Sequence, residues 1–177
     1  YKRLDLAVEA FNNLEIPFFV IGEGQDEKRL REMANPNIYF EGWLNISQIR
    51  SHFNRCRAFV FCGEEDFGIT PLEAQAMGKP VIAFGRGGAL ETVIPDIQSW
   101  KPETEISQAS TSQPTGVFFY EQKPEALINA IKHFESIEPQ FDSDAIRNHA
   151  LKFDGSVYKK RMKNFIQERI EQEPNSG

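Results

Sequence analysis

The sequence predicts an α/β domain built on a Rossmann-like, doubly wound parallel sheet with flanking helices. Three observations lead there. Helical and strand periodicities alternate along most of the chain. The strands are short apolar, aromatic and β-branched runs without in-out alternation, the pattern of strands covered on both faces. Near the middle, residues 60–84 (VFCGEEDFGITPLEAQAMGKPVIAF) read as strand, acidic loop, short helix and strand.

In chain order, residues 1–14 place Leu4, Leu6, Ala7, Ala10, Phe11 and Leu14 at helical spacing. A strand over 16–22, a helix over 24–34, a strand over 37–41 and a helix over 46–55 follow, the last with Ser47 near its start. Strands at 57–62 and 80–84 flank the short helix. Residues 96–115 are rich in Ser, Thr, Gln and Pro and lack a period, so they read as a long inserted loop. A strand at 115–119 and helices at 124–135, 143–153 and 156–170 complete the domain, with residues 171–177 as a tail. In the last helix Val157, Met162, Phe165, Ile166 and Ile170 form an apolar stripe, read as core packing. An α/β domain that opens on a helix lacks its first strand, which predicts that residues 1–170 are one domain of a longer chain.

Composition narrows the function. Net charge is −6, which argues against a nucleic-acid partner. Two cysteines, Cys56 and Cys62, and three histidines stand at no metal-ligand spacing. Cys62 falls inside a core strand, and the pair fits a reducing cytosol. No Gly-x-Gly-x-x-Gly, P-loop or Gly-x-Ser-x-Gly motif is present.

The central loop carries the chemistry. Thr70, Pro71 and Glu73 have the grammar of a helix start, with Thr70 as N-cap, Pro71 at the first helical position and Glu73 three residues after the cap. Two readings fit. Glu73 is a capping-box residue and Glu64, Glu65 and Asp66 a solvated turn; or Phe67, Gly68, Ile69 and Thr70 cradle a phosphate at the positive helix end. The Gly22–Gly24 turn, the Gly42, Trp43 and Leu44 segment, and Arg86-Gly87-Gly88 each follow a strand, where open α/β folds bind ligands or simply turn.

This segment resembles the signature of the family 4 retaining glycosyltransferases, a glutamate, seven residues and a second glutamate. Glu65 and Glu73 have that spacing, with Phe67-Gly68, Pro71-Leu72-Glu73-Ala74 and Gly78-Lys79-Pro80-Val81-Ile82-Ala83 in the matching places. Asp66 departs from the family, which usually has Gly there. The resemblance implies the C-terminal, nucleotide-sugar-binding half of a GT-B fold, with an N-terminal domain binding a glycan, lipid or small-molecule acceptor. It implies a GDP-mannose or UDP-hexose donor, with no metal or other cofactor. Glu73 would take the ribose hydroxyls, and Phe67 to Thr70 with Lys2 the diphosphate. Glu65 would orient the transferred sugar, so Glu65 and Lys2 are the expected catalytic residues. The Gly22 and Gly24 turn would belong to the donor site, and Gly42, Trp43 and Leu44 would line the base pocket. A cytoplasmic location follows, with peripheral attachment to the inner membrane face as a family option.

Overall fold

The computed structural model describes residues 2–99 and 113–172. The chain runs α1 (Leu4–Leu14), β1 (Phe18–Ile21), α2 (Glu27–Met33), β2 (Ile38–Gly42), α3 (Ile46–Arg55), β3 (Phe59–Phe61) and α4 (Ile69–Ala76). It continues β4 (Val81–Phe84), α5 (Ala89–Thr92), β5 (Gly116–Phe119), α6 (Pro124–Ile137), α7 (Ser143–Ala150) and α8 (Gly155–Gln172). All strand pairings are parallel, as predicted, but the sheet is in two pieces, β1–β2 and β3–β4–β5.

The three-stranded piece shows why its strands lack polar alternation. Cys62, Ile82, Phe84, Val117 and Phe119 join one buried cluster with α1 and α6, while Phe61, Val81, Ala83 and Phe118 join a second beneath α4 and α5. Successive side chains point to opposite faces, and both faces are covered. β4 and β5 are buried throughout, whereas Phe59 and Val60 of β3 are half-buried, less enclosed than their apolar run predicts. β3 pairs with β4 alone, so one of its edges has no strand beside it among the described residues.

The first cluster also takes in Val20 of β1, Ile38 of β2 and Leu30 of α2, so α1 is the element that joins the two pieces of sheet. Leu6, Val8 and Phe11 of α1 are buried. Each contributes about 1.5–3 kcal/mol. That outweighs the roughly 1–2 kcal/mol cost of each left-handed residue bracketing the helix, Arg3 and Glu15. The outer face of β1–β2 stays open to solvent, where Phe19 and Tyr39 stack 4.9 Å apart.

Several boundaries differ from the sequence reading for local reasons. α1 begins at Leu4, so Lys2 and Arg3 precede the helix instead of starting it. α3 is capped by Asn45, whose side chain accepts from the Gln48 N–H while the Gln48 side chain accepts from the Asn45 N–H. The final helix corrects the core-packing expectation: Met162, Phe165, Ile166 and Ile170 are exposed, with only Val157 half-buried. Its stripe has nothing to pack on among the described residues. The inserted segment lies mostly outside the described residues, although Asp96 and Thr115 at its ends are bound to Gly116 and Ile94. Of the tail, residues 171–172 continue α8, and 173–177 fall outside the description.

A buried polar knot ties α4, α5 and α7 together. Gln75 Nε2 donates to Thr92 O at 2.9 Å, and His149 Nε2 lies 3.1 Å from the same oxygen. A carbonyl only accepts, so Nε2 carries the hydrogen and Nδ1 is left as a buried lone pair without a partner. Burial holds the His149 imidazole below its ordinary value near 6.5. The neutral ring is therefore the native form. Its contribution is intact above pH ~6.5 and is lost as pH falls through the folded-state value, because the unfolded chain takes the proton first. Urea unfolding between about pH 7.5 and 5 should show stability falling with pH. His149→Gln, which keeps a donor for Thr92, should fall less steeply. Equal slopes would rule out His149 as a source.

Candidate functional site

The central loop leaves β3 at Cys62 and enters α4 through Gly68. Gly68 has a φ of 78° and is the N-cap, so the helix starts at Ile69, and the expected Thr70 cap and Glu73 capping box are not formed. The positive φ needs a glycine. Pro71 is the third helical residue instead of the first, which the helix accepts because first-turn N–H groups have no intrahelical partner anyway. Gly78, at a φ of 72°, ends the helix as predicted.

Six of the predicted residues come together. Lys2, Glu65, Phe67, Gly68, Ile69 and Thr70 line one open cleft of about 570 Å³, with Glu64 and Asp66. Ile69 and Thr70 present first-turn N–H groups, while Pro71 has none to offer. Lys2 supplies the cleft's cationic side chain against three carboxylates. Glu73 stands one turn beyond Ile69, exposed, on the same face of α4 and outside the cleft lining. The other five sit apart from this cleft, at the ends of β1 and β2. Gly22 donates to Gly42 O at 2.8 Å, joining those two turns, and Gly24 O accepts from the Glu27 N–H. Trp43 is 72% exposed beside the half-buried Leu44.

The loop's shape is imposed from below by the turn after β4. The Gly88 N–H donates to Glu65 O at 2.8 Å, and the Thr92 hydroxyl donates to Gly88 O at 2.9 Å. A Cβ on Gly88 would lie 2.3 Å from Phe67 Cα, and one on Gly87 would lie 2.5 Å from Glu65 O. The two glycines are thus needed for close approach of backbone to backbone, where the sequence alone is compatible with either a turn or a cleft loop. From the far side, Phe153 meets Phe67 edge-on at 6.1 Å.

Nothing else described competes for this chemistry. A smaller cavity of about 180 Å³ is lined by Pro95, Asp96 and Ile137 among others; Asp96 Oδ1 pairs with His133 Nε2 at 2.9 Å and accepts from the Gln98 N–H, while its Oδ2 is buried without a partner. Burial pushes the Cys62 thiol up to about 12, which leaves it unreactive. Among the described residues no three of His, Cys, Asp and Glu are grouped to hold a metal ion. No described helix is long and apolar enough to cross a membrane.

Comparison with known proteins places the chain in a family. Residues 1–152 match the family model of the glycosyl transferases group 1. The chain belongs to that family. It is 30% identical over 98 residues to an uncharacterized glycosyltransferase of Methanocaldococcus jannaschii, covering 52% of this chain and 28% of that protein. It is 36% identical over 87 residues to a GDP-mannose-dependent monoacylated alpha-(1-6)-phosphatidylinositol monomannoside mannosyltransferase of Corynebacterium glutamicum, covering 43% and 23%. The fold matches GT-B glycosyltransferase structures. Sucrose-phosphate synthase of Thermosynechococcus elongatus superposes with a TM-score of 0.74 at 20% identity, over 96% of this chain and 42% of that one. The chain thus spans less than half the length of each of these proteins.

The close approach of the two loops generates a test. Gly88→Ala should destabilise the protein by about 1–3 kcal/mol, the usual cost of overpacking, and displace the amides of Glu65 to Gly68 in NMR spectra. An unchanged melting temperature with unmoved amides would show that the two backbones have room to spare.

Proposed function

We propose that this chain is the nucleotide-sugar-binding domain of a retaining glycosyltransferase whose acceptor is held by an N-terminal domain outside this sequence. The observation that carries the reading is the cleft itself. Lys2 and the first-turn residues Ile69 and Thr70 of a helix line one volume, in a chain of the glycosyl transferases group 1 family. A helix N-terminus and a lysine both favour an anion, and the donor's diphosphate is that anion.

Each group has a distinct task in this reading. Breaking the bond between the sugar's anomeric carbon and the diphosphate oxygen leaves negative charge on the diphosphate and positive charge on the sugar ring. Lys2 and the Ile69 and Thr70 N–H groups stabilise the first, in a geometry set before reaction. Glu65, on the cleft wall, accepts from hydroxyls of the transferred sugar and orients it. The acceptor oxygen then bonds the same face of the anomeric carbon, its proton leaving with the diphosphate. Glu73, one turn up α4, takes the ribose hydroxyls. Trp43, Leu44 and the Gly22, Gly24 and Gly42 turns stand for the base side. The Corynebacterium glutamicum relative, named as GDP-mannose-dependent, favours GDP-mannose over a UDP-hexose. No metal is assigned a part, so transfer should persist in EDTA.

Asp66 supports a second reading. It adds a carboxylate to the cleft that Lys2 also lines, which suits a module that binds nucleotide sugar weakly without transferring it. Turnover by the full-length protein decides between the two.

Titration of the domain with GDP and UDP, followed by amide NMR, should show saturable shifts at Gly68, Ile69, Thr70 and Glu73. Glu73→Ala should weaken binding about tenfold to a hundredfold, the worth of one charged hydrogen bond. In the full-length protein, Glu73→Ala and Glu65→Ala should each spare folding and abolish transfer. Wild-type turnover by both variants would sink the assignment.

A further inference from the structure

Lys2 enters the cleft from a backbone held in an unusual way. The next residue, Arg3, has φ 52° and ψ 41°, a left-handed conformation that a residue with a Cβ seldom adopts unless its surroundings enforce it. The enforcing contacts are visible. Arg3 Nε donates to Asp5 Oδ1 at 3.2 Å, and Arg3 Nη1 donates to Gln122 Oε1 at 2.9 Å. The other end of the same amide, Gln122 Nε2, donates to Cys62 O at 3.2 Å. Cys62 is the residue from which the acidic loop departs, so one side-chain amide touches the roots of both cleft walls.

We infer that Gln122 is a positioning residue: its amide brackets Arg3 to the end of β3 and thereby sets Lys2 against the 64–70 loop across the cleft. The inference rests on the donor-binding reading of the cleft. Gln122 lies in the bend between β5 and α6 and is half-buried, so water competes poorly for its two bonds. The amide suits both bonds. It must accept from a guanidinium, which has no lone pair to offer, and donate to a carbonyl, which has no hydrogen. Glutamate would keep the Arg3 side and repel Cys62 O, leucine would lose both, and asparagine is one methylene too short to span the gap. Because Lys2 is the residue before Arg3, releasing Arg3 releases the lysine from the diphosphate position without touching the base or ribose side.

This division gives a readout that a merely structural residue would not produce. The protein and its Gln122→Leu variant are titrated with GDP and guanosine, and with UDP and uridine. Misplacing one charge-assisted contact should weaken diphosphate binding about threefold to tenfold and leave nucleoside binding unchanged. Arg3→Gly, which adopts the left-handed turn freely but lacks the bracket, should behave like Gln122→Leu. If either variant keeps the wild-type ratio of diphosphate to nucleoside affinity, Gln122 does not position Lys2. Amide spectra of the ligand-free proteins supply an independent arm, since Gln122→Leu should shift Lys2 and Arg3 on one wall and Gly63 and Glu64 on the other. Unmoved amides on either wall overturn the bracket whether or not nucleotide binds, whereas wild-type protein that binds no nucleotide overturns the donor reading instead. Should Gln122→Leu fail to fold, Gln122→Asn carries the same comparison.

Discussion

The cleft depends on one backbone hydrogen bond, from Gly88 N–H to Glu65 O. It joins the two loops that follow β3 and β4, and the chains lie so close that no side chain fits between them. Held together, they put Gly68 in its left-handed turn and start α4 at Ile69 and Thr70, which line the cleft. A parallel sheet with neighbouring strands brings the ends of those strands to one edge, and the glycines convert that proximity into contact.

That bond is supported from underneath. Thr92 bonds Gly88 O through its hydroxyl, and its own carbonyl takes the Gln75 amide and the His149 ring. Such a knot is stabilising only when its members are satisfied, because a buried polar group left alone costs about 1–3 kcal/mol. The unpartnered His149 Nδ1 and Gln75 Oε1 show that this one is satisfied in part. α5 is only four residues long, too short to persist on its own. The packing of Ala89, Val93 and Phe118 beneath it holds the turn that carries Gly87 and Gly88. The core and the site are therefore one mechanical object.

Much of this was readable in the residues. The strands announced themselves because covering both faces demands apolar side chains at every position, and β4 and β5 are buried throughout. Gly78 and Pro80 marked the end of α4 because glycine favours the left-handed position after a helix and proline breaks one. Asn45 and Gln48 carry the spacing of a capping box, and the box is formed. Thr70 misled because a threonine before a proline has the grammar of a cap, yet glycine also caps helices and proline is tolerated anywhere in the first turn. The α8 stripe misled for another reason. An amphipathic pattern says that a face is apolar, and only the fold says whether anything covers it.

The sequence by itself determined the α/β class, the parallel pairing, the order of elements and the loop in which Glu65, Phe67, Gly68 and Thr70 reside, since these follow from periodicity and local backbone limits. Tertiary structure decided which of those residues share a volume. Lys2 lies more than sixty positions from Glu65, and Gln122 a further fifty-seven; no local rule relates them. The left-handed Arg3, the Gln122 bridge and the Gly88 contact exist because folding places distant backbones within hydrogen-bonding reach. A hydrogen bond depends on distance and angle in space, and sequence separation carries neither.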